Sequence, residues 1–358
     1  MTASQSQSQS EPGRTAPRSE AGMSVQDSDG RGPSIVALGG GHGLYATLSA
    51  ARRLSDDVTA VVTVADDGGS SGRLRAELGV IPPGDLRMAL AALAAEDADV
   101  KTWTTTLQHR FGGTGALAGH TVGNLILAGL TEVLGDTVSA LDEVARVLRI
   151  RGRVLPMSPI PLAIEADVAG LEADPRVCRT IRGQVAVATT PGQVRRVRLL
   201  PPDPPATPDA VAAIERADLV LLGPGSWFTS VIPHALVPDL AAALQNTSAR
   251  KALILNLAPE PGETAGFSAE RHLHVLAQHA PDLRVDDVLV DSDSVPEGRE
   301  RDHLCRAAAR LGATVGYADV ARTGTATHHP GKLAAAIDRI ASVTPESSHT
   351  GREPTSWQ

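Results

Sequence analysis

Aromatic side chains are nearly missing from this chain: three Trp, two Tyr and three Phe make up 2% of its 358 residues, against 42% hydrophobic residues in all. The core must therefore be aliphatic and alanine-rich, which suits α/β layers better than an all-β sandwich. Cysteine is also scarce. Cys178 and Cys305 stand far apart with no CxxC or metal-ligand spacing, so neither a disulfide framework nor a structural zinc site is expected, and both read as inert packing residues. Positive charge is in deficit. The net charge of −8 speaks against a general nucleic-acid or membrane-surface role, so arginines are expected to act locally. The first 33 residues are polar and lack the apolar stretch of a secretory signal, and no run approaches the length of a membrane span. The expectation is a cytoplasmic protein with disordered tails at 1–33 and 343–358, the latter rich in Ser and Thr that could accept phosphate.

What the chain has is glycine at the ends of β-rich runs. Ile35 to Leu38 lead at once into Gly39, Gly40, Gly41 and Gly43, and a helical pattern follows from Leu44 to Leu54. Glycines let the backbone approach a ligand, and the first N–H groups of the next helix lack internal partners, so such a turn suits a phosphate. Gly41, Gly43 and Ala46 also fit the G-x-G-x-x-A dinucleotide fingerprint. A second run, Val58 to Val64, ends in Ala65, Asp66, Asp67, Gly68, Gly69, Ser70, Ser71 and Gly72. An acid about 20 residues past the glycines grips a ribose hydroxyl in dinucleotide folds, and two adjacent acids could instead hold Mg²⁺. A third run, Asp218 to Leu222, opens into Gly223, Pro224, Gly225, Ser226, Trp227, Phe228, Thr229 and Ser230 before a helical pattern from Ile232 to Leu244. Three such turns at parallel strand ends predict one shared ligand cleft.

Around these turns the pattern supplies further candidates. Asp85 reads as the N-cap of a helix from Leu86 to about Ala94. Arg73, Arg75 and Arg87 are the cations nearest in sequence to the turns, with a solvated surface position the commoner case. The small and polar segment 101–124 reads as a loop forming a third wall, with His120, Thr121 and Asn124 as candidates and Asn124 also placed to cap the next helix. Residues 151–200 read as a small strand-rich insertion, with strands at Arg153–Leu155, Leu162–Val168, Gln184–Ala188 and Arg195–Leu200. Leu253–Leu257 is a strand ending in a loop from Asn256 to Phe267, and Ser268 starts a helix whose histidines 272, 274 and 279 are assigned to the surface.

The motifs GGGHGL (39–44), VTVADDGGSSGRLR (62–75), PPGDLR (82–87), AGHTVGNLILA (118–128), RGRVLP (151–156), GPGSWFTSVIP (223–233) and NLAPEPGET (256–264) together resemble the YvcK family of gluconeogenesis factors, uncharacterised protein family 0052. That family is related to the 2-phospho-L-lactate transferases. The resemblance implies a Rossmann-like three-layer α/β/α domain over 34–342 that binds a nucleotide sugar of the UDP-N-acetylglucosamine type. It implies a regulator needed for cell shape and growth on gluconeogenic carbon sources, with an unknown protein partner in cell-wall or central-carbon regulation and possible homo-oligomers. No catalytic residue is implied. Phe228 and Phe267 stand where the family more often carries tyrosine, which removes a hydroxyl and keeps an aromatic face for a base. The ligand set carried over is Gly39 to Gly43, Asp66 to Ser70, Asn124, Gly223 to Ser230, Asn256 and Phe267. Two alternatives stay open: a Mg²⁺-dependent phosphotransferase using Asp66 and Asp67, and an NAD-dependent dehydrogenase, which gives the second and third glycine turns no role.

Overall fold

The computed structural model describes residues 32–342 except residue 175; the tails expected at 1–33 and 343–358 lie outside these residues apart from Gly32 and Pro33. The chain forms β1 (Ile35–Gly39), α1 (Gly41–Ala51), β2 (Val58–Val62), α2 (Gly69–Leu78), α3 (Gly84–Leu93), α4 (Ala98–Gln108), α5 (Val122–Leu134), α6 (Thr137–Val147) and β3 (Arg153–Pro156). There follow β4 (Ala163–Ala169), β5 (Cys178–Arg182), α7 (Gln184–Ala188), β6 (Gln193–Leu200), α8 (Pro208–Arg216) and β7 (Leu219–Leu222). The last part holds α9 (Pro238–Asn246), β8 (Arg250–Ile254), α10 (Ala269–His279), β9 (Asp287–Asp291), α11 (Arg299–Arg310), β10 (Thr314–Ala318) and α12 (Pro330–Ala341).

Seven strands pair in the order β10-β9-β8-β7-β1-β2-β3, every pair parallel. Every residue of β1 and β7 is buried, as expected of parallel strands covered on both faces by helices. From β1 the chain steps outward through β2 to β3, and from β7 it steps the other way to β10. The strand order therefore reverses between β1 and β7, and in open α/β sheets ligands bind outside the carboxyl ends of the strands at such a point. A second sheet, antiparallel in the order β5-β4-β6, sits in the insertion.

Several expectations are corrected. Arg153–Pro156 belongs to the main sheet, paired with β2, so the insertion begins after it. Residues 184–188 form the short helix α7, and the third strand of the small sheet is instead Cys178–Arg182. Residues 101–108 of the supposed loop are helical, part of α4, because Asp97 caps that helix, its side chain accepting the Val100 N–H at 3.1 Å. The single helix expected from 232 to 244 is a π turn at Trp227–Val231, a 3-10 turn at Ile232–Leu236 and then α9. Pro233 withholds an N–H and Pro238 restarts the helix at its first position. Both cysteines are exposed rather than packed. Among the described residues no single helix is long and apolar enough to cross a membrane.

Candidate functional site

The three glycine turns meet at the switch point. Gly39 ends β1 and Gly40 precedes α1 without a side-chain cap. A Cβ on Gly43 would lie 2.1 Å from the Pro224 oxygen, so only hydrogen fits between the first and third turns. A Cβ on Gly40 would meet Thr63 Cγ2 at 2.5 Å, Asp85 Oδ2 at 2.6 Å and Ser230 Oγ at 3.2 Å, which places all three around one point. Thr47 Oγ1 ties α1 to the third turn by donating to the Gly223 oxygen at 2.9 Å.

Acids line this point. Asp85 is not the N-cap of α3 but sits in its first turn, where it accepts the Gly41 N–H. The residue as a whole is half-buried, but the atoms packed around its carboxyl exclude water and push its pKa up to about 7, with the charge of Asp66 adding to the effect. Asp66 Oδ1 accepts its own loop's Gly68 N–H at 2.9 Å, and burial raises this acid as well. Asp67 points elsewhere. Its two oxygens accept the N–H groups of Gln184 at 3.1 Å and Val185 at 2.9 Å, so it caps α7 of the insertion. The acid that shares the cleft with Asp66 is thus Asp85, 19 residues on, rather than its neighbour in sequence. No cluster of three or more His, Cys, Asp or Glu suited to a metal is present among the described residues. Two carboxylates and the Ser230 hydroxyl do match the oxygen donors that Mg²⁺ prefers, while Thr63 turns its methyl to this point.

The third turn is held from below. Asn256 clamps Gly225, accepting its N–H at 2.8 Å and donating to its oxygen at 3.0 Å. Ser226 donates to Glu260 at 2.7 Å, and the buried Glu263 accepts the Phe228 N–H at 3.3 Å. Desolvation, aided by Glu260, raises the Glu263 pKa to about 8. Thr229 and Phe228 are fully buried. Buried and packed edge-on against Phe267, Phe228 offers no face to a base, and Arg271 lies 4.1 Å over the Phe267 ring. The backbone donors expected to grip a ligand at Gly41, Gly225 and Phe228 are therefore given to side chains, while α2 starts without a side-chain cap after Gly68 and keeps the first N–H groups of Gly69 and Ser70.

The third wall forms around Ser70. Its hydroxyl lies 3.0 Å from His120 Nδ1 and accepts from Asn124 Nδ2 at 3.1 Å, while Asn124 Oδ1 accepts from Arg87 Nε at 2.9 Å. Arg87, expected at the surface, is 7% exposed. Arg73 and Arg75 donate to the oxygens of Ala118 and Leu162.

Sequence reasoning missed a cavity of about 520 Å³ at the carboxyl ends of β8 and β9, bordered by Asn256, Phe267, His272, Arg299 and His303. His272 is buried rather than at the surface. Its Nδ1 lies 2.8 Å from the Ser268 oxygen, which fixes the proton there, and its Nε2 has no protein partner. A smaller pit of about 280 Å³ beside Val58 lies at the amino end of β2, the wrong edge for a ligand of this fold. The signal for the missed residues was the buried spacing of α10, where His272 falls beside Leu273, Val275 and Leu276.

The profile of the 2-phospho-L-lactate transferase CofD family matches residues 35–314. The chain belongs to this family. Within the CofD family it resembles the gluconeogenesis factors, the YvcK group, as its motifs imply. A Mycobacterium leprae protein that bears the gluconeogenesis-factor name provisionally is 70% identical over 90% of this chain and 89% of its own length. The Bacillus subtilis gluconeogenesis factor is 40% identical over 76% of this chain and 83% of its own. A crystal structure of an uncharacterised protein family 0052 member from Bacillus halodurans superposes with a TM-score of 0.76 at 34% identity, covering 86% of this chain and 99% of that one.

Proposed function

We propose that this CofD-family protein binds a nucleotide sugar of the UDP-N-acetylglucosamine type at the switch point and acts as a cytoplasmic regulator in gluconeogenic growth and cell shape. The observation that carries the reading is the packing of the first and third glycine turns at the switch point, with a cavity of about 520 Å³ close by, bordered by the Asn256 that clamps Gly225. The volume lies within the usual range of roughly 300–1,000 Å³ for small-ligand sites. His272 borders the cavity, and its unpartnered Nε2 lies buried behind that wall, where only a small shift of the wall would bring an acceptor to the imide N–H of a uracil. Phe267 gives it an apolar border. The uncapped start of α2 would receive the diphosphate, and Asp66 and Asp85 would hold Mg²⁺ to offset its charge, because two acids at that point repel a bare diphosphate.

The same acids favour one second reading, a Mg²⁺-dependent phosphotransferase of the kind that gives the CofD family its name. Asp66 and Asp85, rather than Asp66 and Asp67, would hold the metal there. Titration calorimetry with UDP-N-acetylglucosamine, UMP, GTP and NAD, with and without Mg²⁺, tests the first reading. Absence of heat with both uridine ligands at millimolar concentration would defeat it. Release of UMP or UDP during long incubation with Mg²⁺ would replace the regulator by the enzyme.

A further inference from the structure

The insertion carries positive charge that the switch-point cleft does not use. Arg195, Arg196 and Arg198 stand together on β6 in a chain of net charge −8. The strand buries Val194, Val197 and Leu199, so strict alternation would send one of the first two arginines inward. A bulge prevents this. Arg196 pairs with Asp167 and Val194 with Val168, which leaves Arg195 without a partner on β4, and both Arg195 and Arg196 emerge exposed. Arg198 is neutralised, its terminal nitrogens donating to the two oxygens of Asp167 at 2.8 and 2.9 Å and its Nε to Glu165 at 2.7 Å. Arg195 and Arg196 form no ion pair among the described residues.

Charges on a strand often blunt an open edge, but this edge is already met. α10 lies beside it, and His279 Nε2 accepts the Val197 N–H at 3.0 Å, its own proton held on Nδ1 by the Val275 oxygen at 2.8 Å. Between strand and helix runs a trough of two cavities, about 340 and 380 Å³, that share Gln278. The first sets Arg195 against Arg271 and His274, and the second holds Arg196 with Leu236 and His279. Arg271, His274, Val275 and Gln278 recur at helical spacing, so one face of α10 forms this wall, while His272 borders the separate cavity at β8 and β9. Arg271 is half-buried over the Phe267 ring and also forms no ion pair among the described residues. Little acid opposes these cations. Glu270 faces His274 and His303 at 3.8 and 3.4 Å, and Asp203 borders the second cavity. The strand from Gln193 to Leu199 runs about 20 Å along the trough at ~3.3 Å per residue. That length suits an extended chain better than a compact metabolite, and guanidinium groups spread along it fit several carboxylates rather than one.

We propose that the trough between β6 and α10 docks an extended acidic segment of a partner protein, with carboxylates on Arg195 and Arg271 in one cavity and on Arg196 in the other. The contact runs through side chains, since α10 occupies the strand edge. It needs no nucleotide, so it stands whether or not the uridine reading holds.

The full-length protein is titrated with a fluorescein-labelled octaglutamate peptide, with octaglutamine and octalysine as controls, by anisotropy at low and at physiological ionic strength. Octaglutamate binds and the controls do not. Arg195→Glu and Arg196→Glu, at exposed positions, each weaken it about tenfold and Arg271→Gln about threefold, the scale of charge pairs at a partly solvated interface. Arg176→Glu makes the same change of net charge on the β5 side of the insertion, outside the trough, and leaves affinity unchanged at physiological ionic strength, where distant charges are screened. Circular dichroism and UDP-N-acetylglucosamine affinity, measured on each variant, separate misfolding and failure of the nucleotide reading from failure of this surface. If Arg271→Gln does not fold, the two β6 variants decide. No octaglutamate binding to the parent protein, an equal loss in Arg176→Glu, or displacement of the peptide by equimolar citrate, the mark of a small-anion site, would overturn the proposal.

Discussion

Glu263 and Asn256 show how single side chains set the shape of the third turn. Both fall in a motif the sequence reading marked as ligand-binding, and both instead hold backbone: Asn256 Gly225, and Glu263 the N–H of Phe228. Asn256→Ala leaves the Gly225 N–H and oxygen without partners, and chemical denaturation should show a loss of about 1–3 kcal/mol. Glu263 adds a pH dependence. Its folded pKa, about 8, lies above the ordinary glutamate value, so the folded state holds the extra proton. The stability this gives is full in acid and is lost as pH rises through about 8. His234 and His328, with pKa values lowered to about 4, act in the opposite sense but only below the ordinary histidine range. The midpoint of thermal unfolding should therefore fall between pH 7 and 8.5, and Glu263→Gln should flatten that fall. A wild-type midpoint that rises over the same interval would refute the assignment.

Elements were legible in proportion to how far local chemistry decides them. Parallel strands buried on both faces read as unbroken apolar runs, and β1, β2, β7 and β8 stood out in that way. The segment Gln-Val-Ala-Val-Ala at 184–188 alternates like a strand, yet it is a five-residue helix held at its start by Asp67 from 117 and 118 positions away. No local rule registers a cap delivered from such a distance. Asp67→Ala should therefore loosen α7, with hydrogen exchange rising at Gln184 and Val185 and a cost of about 1 kcal/mol. Its effect on nucleotide-sugar affinity should be smaller than that of Asp66→Asn. Gly43→Ala sets a methyl against the Pro224 oxygen and must part the first and third turns. It should lower both the unfolding midpoint and ligand affinity, and a variant with neither loss would show that the turns do not need to touch.

Across the whole molecule the site is a product of strand order. The sequence announced three glycine turns and the family motifs, but not that β7 lies beside β1, which is what makes β1 and β7 the switch point. Nor did it announce that PPGDLR swings Asp85 to Gly40 while Asp67 turns to the insertion, since both depend on packing between segments far apart in the chain. The cavity beside His272 was hidden for the same reason: its walls come from the loop after β8 and from β9, α10 and α11. The most direct test is a calorimetric titration of the full-length protein with UDP-N-acetylglucosamine in Mg²⁺, repeated with Asp85→Asn. The account predicts one-to-one binding that chelation of the metal and Asp85→Asn each weaken by about tenfold, the scale of a lost metal or charge-assisted contact. Binding at full strength in both cases would contradict the acid pair as the metal's seat, and no binding of any uridine ligand to the folded protein would contradict the site itself.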